Sequence, residues 1–217
     1  MGRRLPSFVA AIGLLAWAVA SAGCGAASAS ATPSGAQLYR SCVSCHGPSG
    51  EGSALIGAPR LAGMPAWYVA SQVERFQTGL RGQHPDDVEG LRMRAMSKQM
   101  LSKAEVDTVA TYIAALAPVT NPATLPAPAA ATPSAFTLCT TCHGDRGQGN
   151  EQVHAPPLAG QDDWYVARQL RKFRSRVRGT AAGDPIGPVM QAMSLTIAPE
   201  NIDALAAYVH ALPHDAH

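Results

Sequence analysis

Two short stretches decide how this chain is read: Cys42-Val43-Ser44-Cys45-His46 and Cys139-Thr140-Thr141-Cys142-His143. Each reads C-x-x-C-H, the signature for covalent attachment of a c-type haem. The spacing has a physical basis. Residues three apart on a helical turn share a face, so both thiols reach the two vinyl groups on one edge of a porphyrin. The histidine that follows lies under the ring, where an imidazole nitrogen takes one axial site on iron. A lone C-x-x-C also suits a thioredoxin-like pair, half a zinc site or a disulfide. Here the motif occurs twice, each time followed by Gly, and no further Cys or His stands at finger-like spacing. The cofactors expected are therefore two covalent haems, on Cys42, Cys45 and His46 and on Cys139, Cys142 and His143.

The duplication extends well beyond the motifs. Displacing the chain by 97 residues keeps register without a gap from Cys42/Cys139 to Ser97/Ser194, with 25 of 56 positions identical. Among them are Pro59/Pro156, Leu61/Leu158, Trp67/Trp164, Tyr68/Tyr165, Gln72/Gln169, Phe76/Phe173, Arg81/Arg178, Met93/Met190 and Met96/Met193. Such self-similarity means two homologous domains. Between them Ala117 to Ala135 is uncharged and rich in proline and alanine. That composition excludes a continuous helix and favours an extended, semi-stiff connector.

Within each copy the pattern is helical. Gly35 to Cys45 reads as a helix running into the first motif. Ala66 to Leu80 spaces Trp67, Ala70, Val73 and Phe76 helically, and Lys103 to Leu116 does the same with Val106, Val109, Ile113 and Leu116. Ser102 is a suitable N-cap for the latter. Copy two repeats these as Trp164 to Val177 and Glu200 to Leu212, and the glycine-rich stretches after each motif read as loops. The expected fold class is all-α, each domain wrapping one haem.

Both copies carry a methionine pair at the same place, Met93/Met96 and Met190/Met193, and the distance from His46 to Met93 and from His143 to Met190 is 47 residues in each case. A thioether opposite histidine raises the reduction potential and closes the iron to substrate. Methionines also fill irregular core space, which accounts for one of each pair more readily than for both. The first of each pair, Met93 and Met190, is preferred as ligand.

Taken together, C-x-x-C-H-G, P-x-L-A-G, an aromatic-Tyr pair with a following glutamine, F-x-x-G/R-x-R, M-x-x-M and a last helix bearing Tyr cover nearly the whole chain after its first residues. Each copy resembles a class I cytochrome c domain, and the pair resembles the dihaem cytochrome c4 family. The resemblance implies His/Met-ligated haems and electron carriage between respiratory complexes, and it supports Met93 and Met190. It also implies that the carbonyls of Pro59 and Pro156 accept a hydrogen bond from the second ring nitrogen of His46 and His143, which orients the imidazole. There are departures. Tyr112 and Tyr208 are 96 apart, so register shifts after the methionines, and Met96 or Met100 remains an alternative in copy one. Copy two has Thr132 for Gly35 and Phe136 for Tyr39.

The chain opens with Arg3-Arg4 and the short apolar run Phe8 to Ala20, which reads as an export signal. Cys24, the one cysteine outside the haem motifs, follows Ala22-Gly23 as in a bacterial lipoprotein site, although Ser21 stands where a branched apolar residue is usual. The expected organisation is a signal over 1–23, a tether over 24–33, domains over 34–117 and 135–217, and a linker over 118–134. Periplasmic location follows from that reading, with a membrane tether if Cys24 is lipidated. The formal charge of +2 includes the two leader arginines, and nothing in its distribution suggests nucleic acid. Six cations in eleven residues, Arg168, Arg171, Lys172, Arg174, Arg176 and Arg178, form either a docking face for an acidic partner, compensation for haem propionates, or a solvated helix face.

The expected function is single-electron carriage between redox proteins, a donor and an acceptor such as a terminal oxidase, with no catalytic residue. Two alternatives remain. One is a haem subunit of a particular dehydrogenase or oxidase. The other is a dihaem enzyme of the peroxidase or thiosulfate-oxidising type, which needs one open axial site.

Overall fold

Where the sequence supplies caps, helices begin as expected. A computed structural model describes residues 1–2, 33–100, 102–126 and 133–213. The chain divides into Met1–Ala31 and Thr32–His217. The expected leader from Arg3 through Ala20, the lipidation site Cys24, Thr132, His214 and His217 lie outside the described residues. Helix α1 (Gly35–Tyr39) starts at Ser34 and α5 (Lys103–Ala114) at Ser102. Both use a capping box, in which the serine accepts from the third helical N–H and that residue's side chain returns the bond.

The helix expected over Gly35 to Cys45 is interrupted. It breaks at Arg40–Cys42 and resumes as α2 (Val43–His46). Ser41 donates its hydroxyl to the Leu38 carbonyl at 2.8 Å, and such local bonds compete with the helical ladder. Copy two has Leu138 at that position, and there α6 (Pro133–His143) runs into the motif unbroken. In both copies the motif itself is one helical turn, as the spacing of the thiols requires. Gly47 and Gly144 end it at φ +78° and +82°, a region few other residues enter.

The remaining elements are α3 (Ala66–Thr78), α4 (Val88–Met100), α7 (Asp163–Arg174), α8 (Gly187–Leu195) and α9 (Ile202–Ala211), with short 3-10 turns at Glu151–Val153 and Pro199–Asn201. No β-sheet occurs among the described residues, and no helix there is long and apolar enough to cross a membrane. In the first half α5 packs on α1 and α3, and α3 on α4. In the second, α7 packs on α8 and α9.

A Cβ on Gly35 would stand 2.5 Å from the Tyr112 Cβ, so this glycine lets α1 cross α5 closely. The ring of Tyr39 lies 5.5 Å from that of Tyr112, and Phe136 lies 5.4 Å from Tyr208. The aromatic crossing is therefore the same in both halves. Phe136 lacks only the hydroxyl that Tyr39 donates to the Gly47 carbonyl. Val106, Val109 and Ile113 are buried as their spacing predicts, whereas Val73 and Trp67 are only partly buried and line cavities instead. Periodicity does not pick out α4 or α8. The first carries charge on most sides, and the second is short and contains Pro188.

Candidate haem centres

Among the described residues two cavities, each lined mainly by one half, gather the residues singled out by the sequence. The first, about 160 Å³, is lined by Cys42, Cys45, His46, Met93 and Met96. The second, about 410 Å³, is lined by Cys139, Cys142, His143, Met190 and Met193. Arg60, Glu89 and Arg92 line the first where the second has Pro157, Ile186 and Val189. Neither cysteine pair is joined in a disulfide. Burial pushes the Cys42 and Cys139 thiols up.

His46 Nδ1 lies 2.8 Å from the Pro59 carbonyl oxygen, and His143 Nδ1 lies 2.7 Å from that of Pro156. A carbonyl only accepts, so Nδ1 carries the proton and Nε2 keeps its lone pair for a metal. Burial lowers the pKa of both rings more than this bond raises it, so the imidazoles are neutral. Paired thiols, a neutral imidazole with one nitrogen free and a thioether, all at one apolar cavity, fit a c-type haem. The methionines of a pair are not equivalent. Met93 is partly buried and Met96 is 37% exposed, while Met190 packs against the core of the second half. The side chain of Met100 lies outside those described.

The helices that carry these methionines start at aspartates that the motif reading passed over. Asp87 accepts from the Gly90 N–H at 3.1 Å, and Asp184 accepts from those of Ile186 and Gly187 at 2.9 Å each. Both carboxylates are buried, and each is answered by a cation from the other half. Lys172 reaches Asp87 at 2.5 Å and Glu89 at 2.6 Å, and Arg75 pairs with Asp184. Arg75 and Lys172 are equivalent under the 97-residue offset, as are Asp87 and Asp184, so the two pairs cross reciprocally. Burial raises the Asp184 carboxyl, but Arg75 and the two N–H groups outweigh it and hold it below the usual range. Glu89 is likewise held low by Lys172 and Arg168 against its burial. The signal was present in the sequence, because both aspartates belong to the identical positions of the repeat.

Met64, Tyr68, Gln72 and their counterparts Gln161, Tyr165 and Gln169 line both cavities and form a shared wall. Arg81 donates to its own Gln72 at 2.7 Å and across to Tyr165 at 2.9 Å. Arg178 donates to Gln169 at 2.8 Å and across to Gln72 at 3.2 Å, and it is also bonded to Tyr68. Each guanidinium lies over a phenylalanine of its own half, Phe76 at 4.6 Å and Phe173 at 4.5 Å. Burial raises the Tyr165 phenol, but the two guanidiniums pull it lower overall.

The basic run of the second half is largely turned inward. Arg168 pairs with Glu89 at 2.8 Å and Arg171 with Asp203 at 2.7 Å. Arg174 donates to the carbonyls of Ser194, Leu195 and Ile197 at the end of α8. Neither a free docking face nor a purely solvated one describes it. The connector over 117–126 is non-helical, as its prolines require, and is fastened to the second half. Asn121 donates to Asp162 at 2.7 Å, while Thr124 and Leu125 donate backbone N–H groups to Asp163, also at 2.7 Å.

The sequence model of the family described as Cytochrome c matches residues 33–117 and again 129–213. A thiosulfate dehydrogenase electron acceptor from Thiomonas intermedia is 33% identical over 94% of this chain and 89% of its own length. Among solved structures, reduced cytochrome c4 from Pseudomonas stutzeri superposes with a TM-score of 0.66 at 28% identity, covering 82% of this chain and 97% of that one. A thiosulfate dehydrogenase from Marichromatium purpuratum superposes with a TM-score of 0.64 at 31% identity, covering 82% of this chain and 40% of that one.

Proposed function

The chain belongs to the cytochrome c family as a dihaem, cytochrome c4-like protein, and on that premise we propose that it is a periplasmic carrier of single electrons between respiratory redox partners. His46 and Met93 would ligate one iron, and His143 and Met190 the other. The two covalently bound haems supply a one-electron ferric/ferrous couple apiece. The chain supplies the rest. Pro59 and Pro156 hold the imidazoles through Nδ1, which leaves Nε2 free as the nitrogen that would bind a metal. The crossed pairs at Asp87 and Asp184 fix the starts of α4 and α8, the helices that carry Met93 and Met190. The observation that carries this reading is the shared wall: the same six side chains line both cavities, which suits passage of an electron between two centres.

The export reading of Arg3-Arg4, the apolar run and Cys24 supports the periplasm, with a lipid on Cys24 as tether. The similarity to a thiosulfate dehydrogenase electron acceptor supports a sulfur-oxidising dehydrogenase as donor, with a terminal oxidase as acceptor. An optical redox titration of the holoprotein, following the near-infrared thioether-to-iron band and testing CO on the reduced form, examines the proposal. Two methionine-ligated haems that bind no CO are expected. One CO-reactive haem would refute the carrier reading in favour of an enzyme.

A further inference from the structure

We propose that the first haem is the higher-potential centre, held there by the buried charge of Arg60, so that an electron entering at either haem settles on the first. This deepens the carrier reading and rests on it. The axial residues do not separate the two sites. His46 and His143 bond to equivalent carbonyls at 2.8 and 2.7 Å, and Met93 and Met190 occupy equivalent positions. The difference lies in the charges around the cavities. At the first, Arg168 and Lys172 are matched by Glu89 and Asp87, and at the second Arg75 is matched by Asp184. Arg81 and Arg178 are equivalent under the 97-residue offset, and each lines the cavity of its own half. Arg60 and Arg92 remain at the first cavity, and their counterparts at the second are Pro157 and Val189.

Arg92 is exposed, so water and salt screen its charge. Arg60 is 4% exposed, and a charge there acts through a much lower dielectric. Its backbone N–H donates to the Asp162 carboxylate at 3.0 Å, and one terminal nitrogen donates to the Ala62 carbonyl at 3.2 Å, while Nε is buried without a partner. The bond to Asp162 needs only a backbone N–H, so it gives no account of a guanidinium at this position. Burial pulls the Arg60 pKa down and Asp162 opposes that, but a guanidinium keeps its proton. Among the described residues Arg60 takes part in no ion pair, and Asp162 lines neither cavity, so the carboxylate offsets the charge only in part. Reduction lowers the charge at an iron by one, and a neighbouring cation favours the ferrous form. A unit charge about 10 Å away, at an effective dielectric of about 20, biases that equilibrium about tenfold.

The test is a reductive titration of the holoprotein followed by proton NMR, in which the methionine methyl bound to each ferrous iron gives its own resonance. The resonance lost in Met93→Ala identifies the first haem. At one electron per molecule the first haem should be the more reduced. Arg60→Met should move the ratio of the two one-electron-reduced forms about tenfold toward the second haem, a relative shift of about 59 mV for a one-electron couple. Arg60→Lys keeps the charge and should keep most of the ratio. A second haem that fills first in the unaltered protein overturns the proposal, and this reading stands even if Arg60→Met does not fold. An unchanged ratio in Arg60→Met also overturns it, as does a shift in Arg60→Lys as large as that in Arg60→Met, which would make packing the cause. A haem that binds CO, or gives no methionine resonance, overturns the carrier reading beneath it instead.

Discussion

Replacing Asp184 with Asn removes one charge and almost no volume. The asparagine oxygen can still accept from Ile186 and Gly187, so the start of α8 keeps its cap. What it loses is the charge opposite Arg75, in a pair whose side chains are 12% and 1% exposed. Removing one member of a buried pair costs about 3–5 kcal/mol, because the other is left uncompensated. Arg75 keeps slight contact with water, which places the expectation near the lower end, about 3 kcal/mol. For a chain of this length that corresponds to a drop of about 6–12 °C in Tm. Thermal unfolding of the holoprotein by far-ultraviolet circular dichroism measures it. The cycle with Arg75→Met isolates the pair, since the double variant buries no lone charge, and a coupling of about 2 kcal/mol is expected for groups in direct contact. Loosening α8 should also admit CO to the second haem and not to the first. A loss below about 1 kcal/mol, typical of exposed pairs, or strict additivity with Arg75→Met, would show that the crossed pair does not hold the halves together.

Met190→Ala should open the second haem to CO while both thioether links to the chain survive, as read by CO difference spectra and by retention of haem after denaturation. Tyr165→Phe removes the hydroxyl that Arg81 reaches across the wall and should cost about 1.5–3 kcal/mol, the range for a hydrogen bond to a charged group. Urea midpoints would measure that loss, and both near-infrared methionine bands should persist. Stability should also decline on acidification. Glu89, Asp163 and Asp184 all titrate below their ordinary values of 4.5, 3.8 and 3.8. A carboxyl held low in the folded state stabilises it above its ordinary pKa, and that contribution disappears as pH falls through the lower, folded value. Urea midpoints flat from pH 7 to 5 and falling below about 4.5 are expected; midpoints that rise there would contradict the assignment.

Much of this architecture is legible in the sequence because haem attachment is local. Two thiols and an imidazole must lie within one helical turn, so five consecutive residues announce the site, and a 97-residue period announces that it occurs twice. The capped helices α1 and α5 are equally readable, since Ser34 with Gln37 and Ser102 with Glu105 form their boxes from neighbours in the chain. The rest depends on how the halves meet. Arg168 and Lys172 look like part of a solvated basic face until Glu89 and Asp87 of the other copy are brought to them. Asp162 and Asp163 look like helix-start acids until Asn121, Thr124, Leu125 and the Arg60 N–H arrive to donate to them. The break in the first helix at Arg40–Cys42 is registered by no periodicity.

Shared and differing positions divide by their place in the fold. Where the copies face each other, residues of one half meet the counterparts of their own neighbours, as Arg81 meets Tyr165 and Arg178 meets Gln72. Apart from Met64 and Gln161 the wall is the same in both copies, as are Asp87 and Asp184 at the helix starts, and Arg75 and Lys172 differ only in the kind of cation. The outer rims differ. There Arg40, Arg92, Arg94 and Lys98 face Thr137, Val189, Gln191 and Leu195 across the offset. Glu89 links the two regimes: it lies on α4 yet is held by Arg168 and Lys172 of the other half, and Ile186 and Ser71 replace Glu89 and Arg168 on the opposite side. Withdrawing that acid into the interface leaves the α4 rim positive, so an asymmetric contact between the halves helps to distinguish their outer faces.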